Sequence, residues 1–314
     1  MIELKKELFK GRDFITLNAF TAEEIAHMID VAIALKQDRK NGIPHPVLQG
    51  KVLAMIFTKS STRTRVAFEA GIYQLGGSGM FLSGRDIQLG RGEPIADTAR
   101  VLSRMVDGIM IRTFSHQEVL DLAQSASIPV INGLSDFLHP TQILADMVTI
   151  KEHKGQVEGM KLTYIGDSNN VANSLILGGT KMGMHIVIAS PQGYQPVPEI
   201  LDMAWKNAAV SKGSVMVVED PVAAAKNADV LYTDVWASMG QEEESEIRKN
   251  VFAPYQINDE VLQAAHPEAI VMHCLPAHRG EEITDKVIEG PQSVVFDEAE
   301  NRLHAHKAIM ALVM

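Results

Sequence analysis

Short runs of apolar, mostly β-branched residues alternate with amphipathic helical patterns along most of the chain. Runs of this length predict buried strands, and the helical patterns between them provide the crossovers that parallel strands require. The predicted strands are 52–57, 108–112 and 129–131 in the first half, then 162–165, 185–189, 214–218, 230–233, 269–273 and 293–296. The alternation predicts an α/β protein whose parallel sheets are flanked by helices.

The length of 314 residues predicts two domains, because a domain averages roughly 150 residues. A helical pattern over 141–154 ends at Lys154-Gly155, a cation followed by glycine, as helix ends prefer. We therefore place the boundary near residue 150, which gives domains 1–150 and 151–314. The final stretch, 302–314, is also helical and could pack back on the first domain.

Two further helices are predicted in the first half. The stretch after the first strand places Val66, Ala67, Ala70 and Tyr73 at helical spacing, so we expect these residues to form its buried face. Pro94 opens another helix, at a position where its missing N–H does no harm.

Composition excludes several classes of function. The chain has 29 basic and 39 acidic residues, a net charge of −10, which argues against a nucleic-acid or anionic-membrane binder. No apolar run approaches the roughly 18 residues of a membrane span, and the N-terminus lacks the apolar stretch of a signal peptide. The single cysteine, Cys274, cannot form an internal disulfide. We expect a soluble, cytosolic protein.

The first candidate for a ligand site is Phe57-Thr58-Lys59-Ser60-Ser61-Thr62-Arg63-Thr64-Arg65, between the first predicted strand and the helix that follows. Helix capping needs one hydroxyl, but several hydroxyls and two guanidinium groups share this turn. Free N–H groups, the positive end of the helix and bidentate arginines favour a phosphate-sized anion. The segment is not a Walker loop, because the spaced glycines and the Gly-Lys pair are missing.

Other polar groups follow strands or open helices in the same half. Arg112 ends the strand 108–112, where open α/β sheets bind ligands. His139-Pro140-Thr141-Gln142 opens the long helix, and its imidazole is suited to polarising a carbonyl oxygen. Gln88 lies in a Gly-rich loop that could act as a lid or reach a neighbouring subunit.

The second half offers polar groups of a different kind. Gly166-Asp167-Ser168-Asn169-Asn170 follows a strand but lacks G-x-G-x-x-G spacing, so no dinucleotide cofactor is expected. The segment 234–240 supplies a carboxylate and a hydroxyl after another strand. His273-Cys274 suggests a cysteine nucleophile, yet adjacent strand side chains point to opposite faces, which argues against a direct Cys–His pair. No histidine or cysteine spacing indicates a metal.

These motifs, taken in order, resemble the ornithine carbamoyltransferases over essentially the whole chain. Ser61-Thr62-Arg63-Thr64 and His139-Pro140-Thr141-Gln142 are similar to elements shared by carbamoyltransferases in general. Ser238-Met239-Gly240 and His273-Cys274-Leu275-Pro276 are similar to the elements that mark the ornithine branch. Ser60 departs from the family pattern, because many relatives have proline there.

The resemblance implies a fold, substrates and roles for particular residues. It implies the two-domain aspartate/ornithine carbamoyltransferase fold, with carbamoyl phosphate bound by the first domain and ornithine by the second. It implies catalytic roles for Arg63, Arg112, His139 and Cys274. The implied carbamoyl phosphate-binding residues are Ser61, Thr62, Arg63, Thr64, Gln88, Arg112, His139, Pro140, Thr141, Gln142, Cys274, Leu275 and Arg302. The implied ornithine-binding residues are Asn170, Asp234, Ser238 and Met239.

The family also implies assembly from homotrimers, with Gln88 reaching the site of an adjacent subunit, and chemistry that needs no cofactor and no metal. Two alternatives remain at this point. The chain could carbamoylate a different amine, such as putrescine or a modified ornithine, or it could bind a phosphorylated metabolite without catalysis.

Overall fold

The structure of the protein is a computed structural model that describes residues 2–237 and 242–314. The chain folds into two compact units. The first unit comprises the chain up to Val148 together with Glu300–Met314, and the second is Thr149–Ala299. Among the described helices, none combines the length and apolar character that a membrane crossing requires.

The sheet of the first unit has four parallel strands: β1 (Val52–Phe57), β2 (Ser78–Ser83), β3 (Gly108–Arg112) and β4 (Val130–Leu134). Their order is β2-β1-β3-β4, so the chain crosses β1 on its way from β2 to β3. The direction of winding therefore changes between β1 and β3, the kind of switch point at which open α/β sheets bind ligands. The sequence pattern did not predict β2, and it predicted 129–131 where β4 is Val130–Leu134.

Helices of the first unit are α1 (Ala22–Lys40), α2 (Thr62–Gln74), α3 (Ile95–Leu102) and α4 (His116–Ser125). Two more helices run past the unit boundaries: α5 (Pro140–Lys154) and α12 (Val295–Val313). The predicted buried face of α2 is wrong in part, because Val66 and Tyr73 are 57% and 80% exposed. The residues of α2 that are buried are Thr64, Ala67, Phe68, Gly71 and Ile72.

Contacts with α12 explain which face of α2 is buried. The ring of His306 stacks on that of Phe68, with centroids 4.1 Å apart. A Cβ atom on Gly71 would lie only 3.0 Å from Met310 Cε and 3.2 Å from Lys307 Cγ. Side chains of α12 thus pack against α2 where it has no side chain of its own, and a Cβ atom at Gly71 would require them to shift.

The sheet of the second unit has five parallel strands: β5 (Lys161–Ile165), β6 (His185–Ala189), β7 (Ser214–Val218), β8 (Val230–Thr233) and β9 (Ile270–His273). Their order is β7-β6-β5-β8-β9, so winding reverses between β5 and β8. The helices are α6 (Asn170–Lys181), α7 (Pro198–Ser211), α8 (Pro221–Ala225), α9 (Ser245–Phe252), α10 (Asp259–Ala264) and α11 (Asp285–Ile288).

The predicted strand at 293–296 is wrong. Ser293 makes only an isolated bridge to Val271, and α12 begins two residues later at Val295. Asp297 and Glu298 follow in the first turn, where carboxylates stabilise the start of a helix. A short apolar run does not by itself distinguish a strand from the start of a helix, which accounts for the error.

Lys307 is a fully buried cation on α12. Its Nζ donates to His45 Nε2 at 2.5 Å and to Gln74 Oε1 at 3.1 Å. His45 Nδ1 lies 2.9 Å from the carbonyl oxygen of Ile43, so it carries the ring proton and Nε2 is the acceptor. Burial, with a smaller contribution from the charge of Arg39, lowers the pKa of Lys307 to about 8.

Replacing Lys307 should change how stability depends on pH. The folded chain begins to lose the Lys307 proton near pH 8, whereas an unfolded lysine keeps it to about 10.4. The folded state then binds fewer protons, so the free energy of unfolding of the natural chain should rise with pH relative to Lys307→Met. Allowing for screening, we expect a relative gain of about 2 kcal/mol between pH 7 and 10.

Urea unfolding across this pH range measures the effect. Lys206→Met, at an exposed lysine on α7, is the control and should run parallel to the natural chain. Parallel curves for Lys307→Met would show instead that Lys307 keeps an ordinary pKa.

Candidate active site

The hydroxyl of Thr64 links three elements at the switch point of the first unit. Thr64 lies in the first turn of α2 and is fully buried. Its Oγ1 accepts from Arg302 Nη2 of α12 at 2.7 Å and from Arg112 Nη1 at the end of β3 at 3.4 Å. Both guanidinium groups are almost wholly buried. Two cations thus meet at the positive end of a helix, an arrangement that suits an anion.

The two arginines of the Ser61-Thr62-Arg63-Thr64-Arg65 motif lie in different surroundings. Arg65 is exposed, pairs with Glu69 at 3.0 Å and lies with its guanidinium carbon 3.7 Å from the centre of the Phe81 ring. Arg63 is half-buried in the first turn of α2. The side chain of Ser61 caps the helix by accepting from the backbone N–H of Thr64, while Thr62 is exposed. Arg63 is therefore the better candidate for the ligand.

His139 lies directly before α5. This helix begins at Pro140, one residue before the predicted start at 141. The imidazole is almost fully buried, and its Nδ1 is 3.4 Å from Thr141 Oγ1. Burial, with the charges of Arg302 and Arg112, lowers the pKa of His139 well below its usual range. The same cations that favour an anion thus keep the imidazole neutral. Gln142 is buried and donates to Asp146 Oδ1 at 2.8 Å.

Two other residues of the first unit, Gln88 and Lys59, differ in how far they are exposed. Gln88 begins a short 3-10 helix and is exposed. Lys59, which the sequence reasoning left without a role, is only 6% exposed, and its Nζ bonds Asp136 at 3.1 Å. Its position in the turn between β1 and α2 is the sequence feature that could have identified it. Its charge adds to the positive potential near His139.

In the second unit the switch point between β5 and β8 holds Asp234. This carboxylate is 7% exposed and follows β8 directly. Its Oδ1 accepts from Cys274 Sγ at 3.1 Å and from the backbone N–H of Val235 at 2.8 Å. Its Oδ2 accepts from Asn169 Nδ2 at 2.7 Å. Loops that follow β5, β8 and β9 thus converge on one carboxylate.

The predicted ornithine residues are only partly described. Asn170 opens α6 and is buried, whereas its neighbour Asn169 makes the bond to Asp234 and caps the helix by accepting from Val171 N and Ala172 N. Sequence reasoning missed Asn169, although an asparagine before a helix is a recognisable cap. Ser238 and Met239 lie outside the described residues.

Cys274 and His273 bond to different carboxylates. The thiol donates to Asp234, while His273 Nε2 lies 3.0 Å from Glu282 Oε1. His273 Nδ1 accepts from the backbone N–H of Leu275, whose φ of 57° is left-handed. The imidazole therefore fixes the turn after β9, and the expectation that Cys274 and His273 do not pair directly agrees with this geometry.

Arg248 of α9 crosses to the loop after β5. Its Nη1 donates to Asp167 Oδ2 at 2.8 Å and to the carbonyl oxygen of Trp236 at 3.0 Å. The ion pair is almost fully buried, so it holds the loops after β5 and β8 together on either side of Asp234.

Two family models together match nearly the whole chain. Residues 12–152 match the model described as the carbamoyl-P binding domain of aspartate/ornithine carbamoyltransferases, and residues 158–313 match the Asp/Orn binding domain. The chain belongs to the aspartate/ornithine carbamoyltransferase family. The resemblance seen in the motifs is thereby confirmed, and so is the predicted fold of two parallel sheets flanked by helices.

Relatives of this carbamoyltransferase extend over nearly its whole length. The ornithine carbamoyltransferase of Thermococcus kodakarensis is 60% identical over 97% of this chain and 96% of that protein. The anabolic ornithine carbamoyltransferase of Pyrococcus furiosus is 57% identical over 97% of this chain and 96% of that protein. The solved structure of the ornithine carbamoyltransferase from Pyrococcus furiosus superimposes with a TM-score of 0.95, at 56% identity and 97% coverage of each chain.

The surroundings of His139 predict that this imidazole remains neutral at mildly acidic pH. An ordinary histidine is half protonated near pH 6.5, but burial and nearby cations oppose a charge on His139. Nitrogen-15 NMR of histidine-labelled protein in phosphate-free chloride buffer, assigned with His139→Asn, should show neutral ring shifts from pH 7.5 to 5.5. A titration midpoint at 6.5 or above would contradict the cationic environment.

Proposed function

We propose that this carbamoyltransferase transfers the carbamoyl group of carbamoyl phosphate to the side-chain amine of L-ornithine, giving L-citrulline and phosphate. Family membership supports the carbamoyl transfer. Relatives named ornithine carbamoyltransferase, up to 60% identical over nearly the full length, support the choice of amine. The single observation that carries the proposal on the geometry is that one unit has a cationic switch point and the other has a carboxylate-centred one.

The first unit is proposed to bind carbamoyl phosphate. Its phosphate would lie at the start of α2 and be held by the hydroxyls and N–H groups of Ser61, Thr62 and Thr64, with Arg63 and Arg112. Bidentate guanidinium groups and free N–H groups at a helix start are the usual partners of phosphate. The carbamoyl group would lie among His139, Pro140, Thr141, Gln142 and Arg302, with Cys274 and Leu275 completing the set and Gln88 contributed by an adjacent subunit.

The second unit is proposed to bind ornithine. Asp234 would pair with the α-ammonium group, and Asn170, Ser238 and Met239 would hold the remaining α-substituents. Asn169 joins this set as a positioning residue, because its amide fixes one oxygen of Asp234. Cys274, which bonds the other oxygen, would lie near the side-chain amine.

The chemistry is nucleophilic addition and elimination. The neutral side-chain amine attacks the carbamoyl carbon, a C–N bond forms, and the tetrahedral intermediate expels phosphate as the C–O bond breaks. The leaving phosphate can accept the proton that the amine loses. Arg63 and Arg112 would stabilise charge on the phosphate, and a neutral His139 would donate a hydrogen bond to the carbamoyl oxygen. These steps are complete without a redox or metal centre.

Several finer features belong to the same proposal. The relative from Pyrococcus furiosus is named as anabolic, which supports a role for the reaction in arginine biosynthesis. We also propose a cytoplasmic enzyme assembled from homotrimers. The alternative amines fit less well. Putrescine lacks an α-carboxylate, which would leave polar groups unpaired at a cost of about 1–3 kcal/mol each. Aspartate would bring a second carboxylate towards Asp234. A protein that only bound a phosphorylated metabolite would leave the carboxylate site around Asp234 without a function.

Asp234 should decide which amine reacts. Because Asp234→Ala removes a buried charge partner, worth about 2–5 kcal/mol, kcat/KM for ornithine should fall about a hundredfold or more. Affinity for carbamoyl phosphate should barely change. The assay is citrulline formation by purified protein, with putrescine and aspartate as comparison amines.

Asp202→Ala, at an exposed carboxylate of the same unit, is the matched control and should behave as the natural chain. Equal turnover of putrescine and ornithine by the natural chain would reject the ornithine assignment. Unimpaired ornithine turnover by Asp234→Ala would reject the role of that carboxylate.

A further inference from the structure

Three side chains in the turn between β9 and α11 form a group that carbamoyl transfer does not use. They are His278, Glu281 and Glu282, called here the His278 cluster. Each offers one ligand atom, an imidazole nitrogen or a carboxylate oxygen, and these atoms all lie within 4.8 Å of one another. His278 is exposed, Glu281 is half-buried and Glu282 is completely buried, so the cluster opens to solvent on one side.

Glu282 presents one satisfied oxygen and one unsatisfied oxygen. Its Oε1 accepts from His273 Nε2 at 3.0 Å and from the backbone N–H of His278 at 2.6 Å. Its Oε2 is buried and has no hydrogen-bond partner among the described residues. That oxygen lies 3.9 Å from His278 Nδ1, too far for a hydrogen bond. A buried carboxylate oxygen in this state is costly unless a ligand completes it.

The charge of Glu282 is not balanced by its histidine. His273 Nδ1 accepts from the N–H of Leu275, so its single ring proton is on Nε2 and the imidazole is neutral. In the part of the chain that the structure describes, no lysine or arginine nitrogen lies within 4.0 Å of the Glu282 carboxylate. Buried carboxylates without a cationic partner commonly coordinate metals.

We propose that the His278 cluster binds a divalent transition-metal ion of the Zn²⁺ or Co²⁺ type. Nδ1 of His278 and Oε2 of both Glu281 and Glu282 would be the ligands, and water would complete the coordination. The separations from His278 Nδ1 to the two oxygens are 3.9 Å and 4.0 Å, slightly longer than the edge of about 3.4 Å that a tetrahedral zinc site requires. Binding an ion would therefore draw the exposed His278 imidazole towards the two carboxylates. One imidazole and two carboxylates suit zinc-like ions better than Mg²⁺ or Ca²⁺.

Neighbouring groups leave these three atoms available. Lys249 Nζ pairs with Glu281 through Oε1 at 3.3 Å, so Oε2 of that residue still faces His278. Arg279 is directed to Asp285 at 3.1 Å and to Glu289 at 2.5 Å. The alternative group for a metal is Asp234, His273 and Cys274. Its thiol and both imidazole nitrogens already make hydrogen bonds, so it is less prepared for an ion.

Titration with Co²⁺, followed by calorimetry and by absorption, tests the proposal without relying on activity. The natural chain should bind Co²⁺ with an absorption spectrum that lacks sulfur-to-cobalt charge transfer. His278→Ala and Glu281→Gln should each weaken binding roughly tenfold or more, because losing even an outer partner of a metal site costs that much. Both changes are at partly exposed positions, so the fold should survive, which circular dichroism checks.

Two further variants separate the competing sites. His185→Ala, at an exposed histidine of β6, should bind Co²⁺ as the natural chain does, and so should Cys274→Ser. Binding that survives both His278→Ala and Glu281→Gln would overturn the proposal. A thiolate charge-transfer band that Cys274→Ser abolishes would assign the ion to Asp234, His273 and Cys274 instead. Absence of Co²⁺ binding by the natural chain would also overturn it.

Discussion

The hydroxyl of Thr64 is the constraint on which the first unit depends. By accepting from Arg302 and Arg112, it joins the C-terminal helix and the end of β3 to the first turn of α2. One neutral oxygen thereby gathers two buried cations beside a helix N-terminus. The cost of this charge concentration appears in His139, whose pKa is depressed by burial and by the same arginines. A bound dianion would relieve that cost, which supports the proposed place for the phosphate.

The second unit also places a buried charged group at the switch point of its sheet, but the charge is negative. Its sheet also reverses winding, and a carboxylate, Asp234, occupies the reversal. Donors from the loops after β5 and β9, Asn169 and Cys274, fix its two oxygens. The buried pair of Arg248 and Asp167 holds the flanking loops in place. A cationic switch point for an anion and an anionic one for an ammonium group are complementary to the two proposed substrates.

Sequence reasoning predicted elements whose signal is local. β1 and β3 are uninterrupted apolar runs followed at once by polar groups, so both the strands and their candidate residues could be read directly. β2 could not, because its apolar run is only three residues long, Met80 to Leu82, and four of the six residues of this edge strand are exposed. The buried face of α2 was also beyond local signals. It is set by Arg302, His306 and Lys307, more than 230 residues away in sequence.

Local sequence patterns also could not distinguish the roles of adjacent residues. Asn169 and Asn170 have the same side chain, and only the capping geometry at the start of α6 directs one of them to Asp234. Likewise, 293–296 has the composition of a strand, and only the carboxylates that follow indicate a helix start. Residue type and spacing thus indicated which segments carry the candidate residues. The direction of each side chain depended on tertiary contacts.

The central claim is that the cations at the start of α2 form an anion site, and comparing Arg63 with Arg65 tests it most directly. Calorimetric titration with carbamoyl phosphate should show that Arg63→Ala weakens binding by about 2–5 kcal/mol, the usual loss for a desolvated charge partner. Arg65→Ala should bind almost normally, because that side chain is exposed and directed to Glu69 and Phe81. Unchanged affinity in Arg63→Ala, or equal losses in both variants, would contradict the account.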